Sequence, residues 1–271
     1  MSRQGSKNLP ARFAIALVLS LAGAPDPALA QAVASPGSGW SFEFTPYLWG
    51  ASMSGNVGAG ALPTINVDMS FSEILDNLDA GLMGAFEARN GRWGLLFDAI
   101  YMKLAHSATA SRTGAGPIGA TAAASAELEM TQTMVAAAIA YRAIEGRSPL
   151  DVIGGARYSL IEADARIDGS LFAQAGSVAR SAKKSWVDPY LGVRVQHPIA
   201  ERWTLVGYAD VGGFGVGSDL TWQIAAGIDY EFSKTIAAKV GYRYLTVDYD
   251  NDGFRYDMAN SGLYLGVGIR F

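Results

Sequence analysis

The chain has 271 residues, half of them hydrophobic, yet its mean hydropathy is only +0.15. Apolar residues are therefore interleaved with polar ones rather than collected in long segments. The formal net charge of −4 offers no basic surface for nucleic acid, so we expect no nucleic-acid partner. The chain has no cysteine, which excludes disulfide bonds and lipid attachment through a cysteine.

The first thirty residues have the three parts of a secretory signal peptide. Basic residues precede an apolar segment at 13–24, and small residues at 28–30 form a cleavage site. The apolar segment is too short for a spanning helix, which needs about 20 apolar residues. We predict a cleaved signal peptide over 1–30 and a flexible linker over 31–39. No later stretch could form a spanning helix, so the exported chain is periplasmic, secreted or an outer-membrane β-barrel.

From residue 40 onward, apolar side chains recur at every second position, which is the period of a β-strand. In residues 127–141, for example, Leu128, Met130 and Met134 form one apolar face opposite Glu127 and Glu129. Most of the segments have at least 9 residues, which matches the roughly 9–11 residues that a tilted membrane strand needs. Ten segments show the pattern: 40–44, 81–89, 92–101, 127–141, 150–161, 186–197, 203–211, 220–232, 236–245 and 263–271.

The connections between these segments alternate between short and long. Long ones are predicted at 53–79, 106–121 and 169–182, and aromatic residues lie beside the short ones. Short periplasmic turns, long extracellular loops and aromatic girdles are typical of outer-membrane barrels. We therefore predict, over 40–271, an all-β, antiparallel, up-and-down transmembrane barrel of about ten strands. Eight or twelve strands are also compatible, because the register near Pro46 and in residues 105–125 is ambiguous.

The last strand ends on an aromatic residue. Tyr264, Gly266, Ile269 and Phe271 resemble the terminal signal that the barrel assembly machinery reads. We expect that machinery and periplasmic chaperones to be partners during biogenesis.

Several stretches carry a family resemblance: residues 44–55, 67–89, 210–223 and 241–257. They resemble a largely uncharacterised proteobacterial family of small outer-membrane β-barrel proteins, broadly similar to OmpA, OmpX and OmpW barrels. The resemblance implies the fold, a place in the bacterial outer membrane, and contact with its lipid and lipopolysaccharide. It implies no activity and no cofactor, because a fold does not determine function.

The strand alternation directs many charged side chains into the barrel, since facing lipid would cost each about 2–4 kcal/mol. They form either a structural salt-bridge network or a charged constriction that selects solutes. A ten-stranded barrel is close in size to eight-stranded barrels, whose interiors are filled by side chains. The predicted middle layer is Asp98, Arg157, Asp188, Asp210 and Arg243, and the predicted lower layer is Glu87, Arg89 and Arg194.

The only helical pattern lies at 70–79, where Ser70 and Glu73 can form a capping box. The pattern predicts a short helix in the first extracellular loop, either on the surface or as a plug in the barrel mouth. Its apolar face is formed by Phe71, Ile74, Leu75 and Leu78.

Two further motifs bear on chemistry. Asp248, Asp250 and Asp252 match the start of a calcium loop, but the twelfth position is Ala259 instead of glutamate, so the metal prediction is weak. His106 and His197 are the only histidines. His197 lies at a predicted periplasmic turn, the wrong end for the known barrel enzymes, and no partner on a second strand can be named for His106, so we do not predict an enzyme. The predicted function is structural or surface interaction, with a narrow porin-like channel as the alternative and an outer-membrane enzyme as a distant third.

Overall fold

The computed structural model describes residues 39–59, 64–113, 121–171 and 174–271. The predicted signal peptide at 1–30 and most of the linker at 31–39 lie outside these ranges. Within them, no helix is long and apolar enough to cross a membrane. The elements are β1 (Trp40–Ala59), β2 (Ile65–Met69), α1 (Phe71–Asp76), β3 (Leu78–Asn90), β4 (Trp93–Thr113), β5 (Thr121–Ile144), β6 (Leu150–Leu171), β7 (Gln174–Ala200), β8 (Trp203–Gly213), β9 (Leu220–Glu231), β10 (Ile236–Asn251) and β11 (Phe254–Arg270).

The strands form one antiparallel sheet that closes on itself. Each strand from β3 to β11 pairs with its neighbour in the chain, β3 pairs with β1, and β11 returns to pair with β1. Ten strands complete this circuit, and β2 is an eleventh strand that pairs with the far part of β1. The predicted up-and-down barrel of about ten strands with one short helix is confirmed.

The two ends of the barrel differ. At one end, here called the turn end, short connections at 91–92, 145–149, 201–202 and 232–235 join the strands. The opposite end, called the far end, carries α1 and the tips of the longest strands. Aromatic pairs cluster at the turn end, including Trp93 with Tyr141 and Trp203 with Tyr230 at centroid distances of 4.9 and 4.6 Å. This is the position of an interfacial girdle.

The outer face of the barrel is apolar. Leu48, Leu82 and Leu263 leave 62%, 75% and 65% of their surface exposed on that face. Exposed apolar patches of this extent mark contact with an apolar phase, which for a closed barrel is hydrocarbon. The alternate residues point inward, and they include nearly all of the predicted lumen charges.

The predicted orientation of β5 is wrong. Ile139 and Val135 face outward, whereas Met134, predicted on the apolar face with Leu128 and Met130, is buried inside the barrel, as are Ala136 and Ala138. The inner wall is apolar at this height, so both faces of the strand are apolar. In β5, therefore, alternation of apolar and polar residues does not identify the lipid-facing side.

Two of the predicted long loops are mostly strand. β4 continues to Thr113 and pairs with the start of β5 at Thr121, and β6 and β7 pair up to Leu171 and Gln174. These segments are rich in alanine, serine and threonine. Their low hydrophobicity suggested loops, but backbone pairing with equally long neighbours keeps them in the sheet. The first predicted loop, 53–79, contains the end of β1, β2 and α1.

The chain terminus closes the ring at the turn end. The Phe271 N–H donates to the Phe42 carbonyl at 3.0 Å, the Phe42 N–H donates to the Phe271 carbonyl at 3.1 Å, and the two rings stack.

Deleting Phe271 removes both backbone bonds and should lower the free energy of unfolding by about 2 kcal/mol. Phe271→Ala keeps them and should cost less. Urea unfolding of protein refolded into lipid measures both changes, with Phe232→Ala as an aromatic control at the same end.

The same variants test the assembly signal. If the terminal aromatic is read by the assembly machinery, Phe271→Ala should lower the amount of folded protein in cells while refolding of the purified chain proceeds normally. An equal loss in both settings would mean that the ring acts through stability alone.

The barrel lumen as candidate functional site

The barrel interior has two parts. Toward the turn end lies a cavity of about 740 Å³, here called the lower lumen, which reaches the β9–β10 turn at Lys234 and Thr235. Eight cationic and four anionic side chains line it. Toward the far end the interior is filled by apolar side chains, and this part is called the upper lumen.

Asp151 is the centre of the lower charge network. Its carboxylate, whose side chain is only 2% exposed, accepts hydrogen bonds from Arg89 and Arg194 at 2.8 Å and from Arg142 at 2.9 Å. Glu87 also binds Arg89 and Arg194, at 2.9 and 2.7 Å. The predicted lower layer of Glu87, Arg89 and Arg194 therefore comes together. It does so around Asp151 and Arg142, which the site prediction missed. Asp151 points inward by alternation, so that signal was present in the sequence.

The middle layer forms two separate pairs. Arg243 binds Asp98 at 3.3 Å and the Gln223 side chain at 2.8 Å, while Tyr47 donates its hydroxyl to Asp98 at 2.8 Å. The Arg243 guanidinium also lies 4.8 Å from the centre of the Trp49 ring, a cation–π distance.

Arg157 and Asp210 form the second pair. The Arg157 guanidinium donates to Asp210 at 2.8 Å and to the Thr221 hydroxyl at 3.2 Å, and both charged residues are almost fully buried. Asp188 belongs to neither pair. Its carboxylate accepts from the Trp186 indole N–H at 3.0 Å and from the Ser218 backbone N–H at 2.6 Å. The five predicted residues thus face the lumen without forming one continuous ring.

A further network lies near the turn end and was not predicted. Lys239 bridges Glu43 and Asp229 at 2.8 and 2.9 Å, and Glu43 also binds Arg270 at 2.7 Å. These residues belong to β1, β9, β10 and β11, so the network ties together the two strands that close the ring and their neighbours. Sequence alternation places each residue inward, but it does not show which strands face one another.

The upper lumen is an apolar core. Trp186 stacks on Tyr249 at 4.3 Å between ring centres and contacts Tyr256 at 5.8 Å. The buried members of the cluster are Met53, Ile74, Leu104, Ile161, Trp186, Val247, Tyr249, Tyr256 and Met258. No polar network crosses this cluster in the described part of the chain, so the lumen changes from charged to apolar along its axis.

Helix α1 contributes to this core from the side. The predicted capping box between Ser70 and Glu73 is present. Ile74 is buried in the upper lumen, whereas Phe71 and Leu75 are exposed and Leu78 is already the first residue of β3. The helix leads from the end of β2, which lies beside β1, to the start of β3, which lies beside β4. The helix thus places Ile74 in the interior from the side of the barrel where β1 and β3 are not paired, and its role as a plug stays a prediction.

The other predicted sites lie outside the lumen. Asp252 binds Lys184 at 2.9 Å, and Asp248 and Asp250 are exposed. Among the residues that the structure describes, no group of three or more histidine, cysteine or acidic side chains is arranged to hold a metal ion. His106 bonds the Asn77 side chain at 2.7 Å, and His197 bonds the Ser148 hydroxyl at 2.6 Å.

One exposed ion pair at the turn end provides a contrast with the buried ones. Arg92 binds Glu145 at 2.7 Å, and its hydrogen bonds hold the pKa of the Glu145 carboxyl below its ordinary value. Both side chains are about half exposed, so water screens the interaction.

Removing the central carboxylate should destabilise the barrel. Asp151→Asn leaves three arginines with fewer charges to balance them, and breaking a buried ion pair typically costs about 3–5 kcal/mol. Glu145→Gln removes the exposed pair and should leave stability unchanged. Urea unfolding in lipid measures both variants, and native-like stability of Asp151→Asn would contradict the assignment of Asp151 as the network centre.

Comparison with known proteins supports the architecture. No protein-family model matches the chain, and no curated protein sequence is significantly similar to it. The outer membrane protease OmpT from Escherichia coli superposes with a TM-score of 0.50 at 13% identity, covering 89% of this chain and 99% of OmpT. The translocator domain of the autotransporter NalP from Neisseria meningitidis has a TM-score of 0.38 at 16% identity, covering 90% and 92%.

The attachment invasion locus protein Ail of Yersinia pestis has a TM-score of 0.31 at 15% identity, covering 86% of this chain and 99% of Ail. At such identities a likeness shows the fold alone, so no site residue is carried over from any of these proteins. With its closed antiparallel sheet, apolar outer face and charged lower lumen, this chain is a β-barrel of the kind found in bacterial outer membranes.

Proposed function

We propose that this chain is an integral outer-membrane barrel that is closed to solutes and has a structural or surface-interaction role. The observation that carries the proposal is the apolar cluster of the upper lumen. A solute leaving the lower lumen toward the far end would have to displace buried aromatic and methionine side chains. Tightly packed apolar interiors exclude water, so this part of the lumen offers no continuous aqueous path.

The long strands support the surface-interaction part of the proposal. β5, β6 and β7 have 24, 22 and 27 residues, whereas β8 and β9 have 11 and 12. About 9–11 residues suffice to cross the bilayer, so β5–β7 extend well beyond it at the far end. If the turn end is periplasmic, as in other outer-membrane barrels, this extension faces the cell exterior.

The extension carries charge on its exposed surface. A cavity of about 300 Å³ there is lined by Glu127, Glu129, Asp164, Arg166, Ala179, Arg180 and Ser181. Acidic and basic side chains at this height suit contact with lipopolysaccharide, whose phosphates and bound cations lie at the outer surface. Lipid and lipopolysaccharide are the partners that we propose.

A narrow channel for small polar solutes is the second candidate, favoured by the size and charge of the lower lumen. We propose no enzymatic activity, because within the described residues neither histidine bonds a carboxylate. General acid–base catalysis by histidine normally needs such an orienting partner.

Single-channel conductance of the refolded protein in a planar bilayer tests the proposal. The intact protein should be silent. The double variant Trp186→Ala, Tyr256→Ala removes two of the three buried aromatic side chains of the upper cluster and should produce discrete steps. Leu265→Ala, on the lipid-facing side, should remain silent. Stable steps from the intact protein would contradict the proposal and favour the channel, and heat-modified mobility on gels would verify that every variant is folded.

A further inference from the structure

Asp188 is a fully buried carboxylate that no cation contacts directly within the described chain. It accepts hydrogen bonds from the Trp186 indole N–H and from the Ser218 backbone N–H. Arg157 lies directly opposite on β6, but its guanidinium binds Asp210 at 2.8 Å instead. Burying a charge is costly unless it is paired and hydrogen-bonded, so the surroundings of Asp188 must supply more than these two N–H groups.

Four polar side-chain atoms near Asp188 have no hydrogen-bond partner among the described residues. They are Arg157 Nε, Ser159 Oγ, Asp210 Oδ1 and Ser218 Oγ, and they are four of the five such buried atoms in the part of the chain that the structure describes. All four residues are almost fully buried. Because buried polar atoms in folded proteins are nearly always hydrogen-bonded, four of them in one region indicate a ligand.

Strand register brings these atoms into one neighbourhood. Arg157 pairs with Asp188 across β6 and β7, and Ser159 is the next inward position on β6. Directly opposed side chains on one face of a sheet have Cβ atoms about 5 Å apart. Asp210 Oδ1 belongs to the carboxylate that Arg157 binds, and Ser218 donates its N–H to Asp188 at 2.6 Å. These five residues are here called the Asp188 site.

The chemistry of the four atoms selects the ligand. Arg157 Nε can only donate a hydrogen bond, Asp210 Oδ1 can only accept one, and a serine hydroxyl can do both. A cation would bind the oxygens but would face the guanidinium, and an anion would meet two carboxylates. Water both donates and accepts, and a buried water typically makes about three hydrogen bonds to polar groups that otherwise lack partners.

The lower lumen gives water access to the site. Arg157 lines that cavity, and its guanidinium lies 4.9 Å from the centre of the Tyr190 ring, which lines the cavity as well. The other four residues of the Asp188 site are not part of the cavity lining. Water bound among them is therefore separated from the bulk water of the lower lumen by the Arg157 side chain.

We propose that the Asp188 site binds a cluster of buried water molecules that joins the Asp188 carboxylate to the Arg157–Asp210 pair. A bridging water is nearly as favourable in enthalpy as a direct hydrogen bond, so the Asp188 charge is balanced by Arg157 without direct contact. The site goes beyond the proposed function, because a barrel that is closed to solutes can still hold water at the boundary between the two parts of its lumen.

Two elements of the far end depend on this site. Asp188 holds the indole of Trp186, which belongs to the apolar cluster of the upper lumen. It also holds the β8–β9 turn through Ser218, and Gly217 lies so close that a Cβ there would be 2.6 Å from the carboxylate. The water cluster therefore connects the charged lower lumen to an aromatic residue that closes the upper lumen.

X-ray footprinting tests the site, because hydroxyl radicals formed from bound water modify the side chains beside it. Trp186 is the reporter, since it is only 6% exposed and does not line the lower lumen. Tyr256, which is 1% exposed in the same apolar cluster, is the reference. In protein refolded into lipid, mass spectrometry should find Trp186 modified several-fold faster than Tyr256, each rate being normalised to that of the unfolded chain. Equal rates would overturn the site.

A pair of variants distinguishes bound water from outside solvent. Ser159→Val removes a hydroxyl and adds bulk opposite Trp186, so modification of Trp186 should fall to the rate of Tyr256. Ser185→Val is the matched control, because Ser185 adjoins Trp186 but is exposed, and it should leave the rate unchanged. An unchanged rate in Ser159→Val would overturn the site. The assay does not measure conductance, so its failure and that of the proposed function are distinguishable.

Discussion

Closure of the hydrogen-bond ladder is the constraint on which the whole molecule depends. Hydrocarbon offers no partner to a backbone N–H or carbonyl, so a sheet in a membrane must return to its first strand. Here β11 pairs with β1, from Phe271 at the turn end to Phe254 at the far end, which closes the ring. A closed sheet has only two faces. The outer one must be apolar, so every charged side chain of the membrane-crossing segments is confined to the lumen.

Confinement then determines how the charges are arranged. In a narrow interior an unpaired ion is costly, and each of two carboxylates is shared among several cations. Asp151 binds three arginines, and Glu43 binds Lys239 and Arg270. The upper lumen has no such network in the described chain and is filled by apolar side chains instead. The same closed wall therefore surrounds a charged cavity and an apolar core, and the boundary between them lies near Tyr47 and Arg243.

The closure rule is relaxed between β1 and β3, where residues 47–52 of β1 have no strand partner on the β3 side in the described chain. The contacts at this place come from Met83 and from Phe71 and Ile74 of α1. Departures from the general rules of a fold are expected at functional positions.

What the sequence determined by itself was local. These local features depend on residues a few positions apart. They are the strand period, the inward charges such as Asp98 and Arg243, the aromatic turn end and the Ser70–Glu73 capping box. The tertiary structure decided the rest, because it depends on which strands become neighbours. It turned the apolar face of β5 inward at Met134, extended β4–β7 through segments that read as loops, and gathered three arginines around Asp151. It also left residues 47–52 of β1 without a partner on the β3 side, which no spacing within one strand could reveal, since the missing partner lies more than thirty residues along the chain.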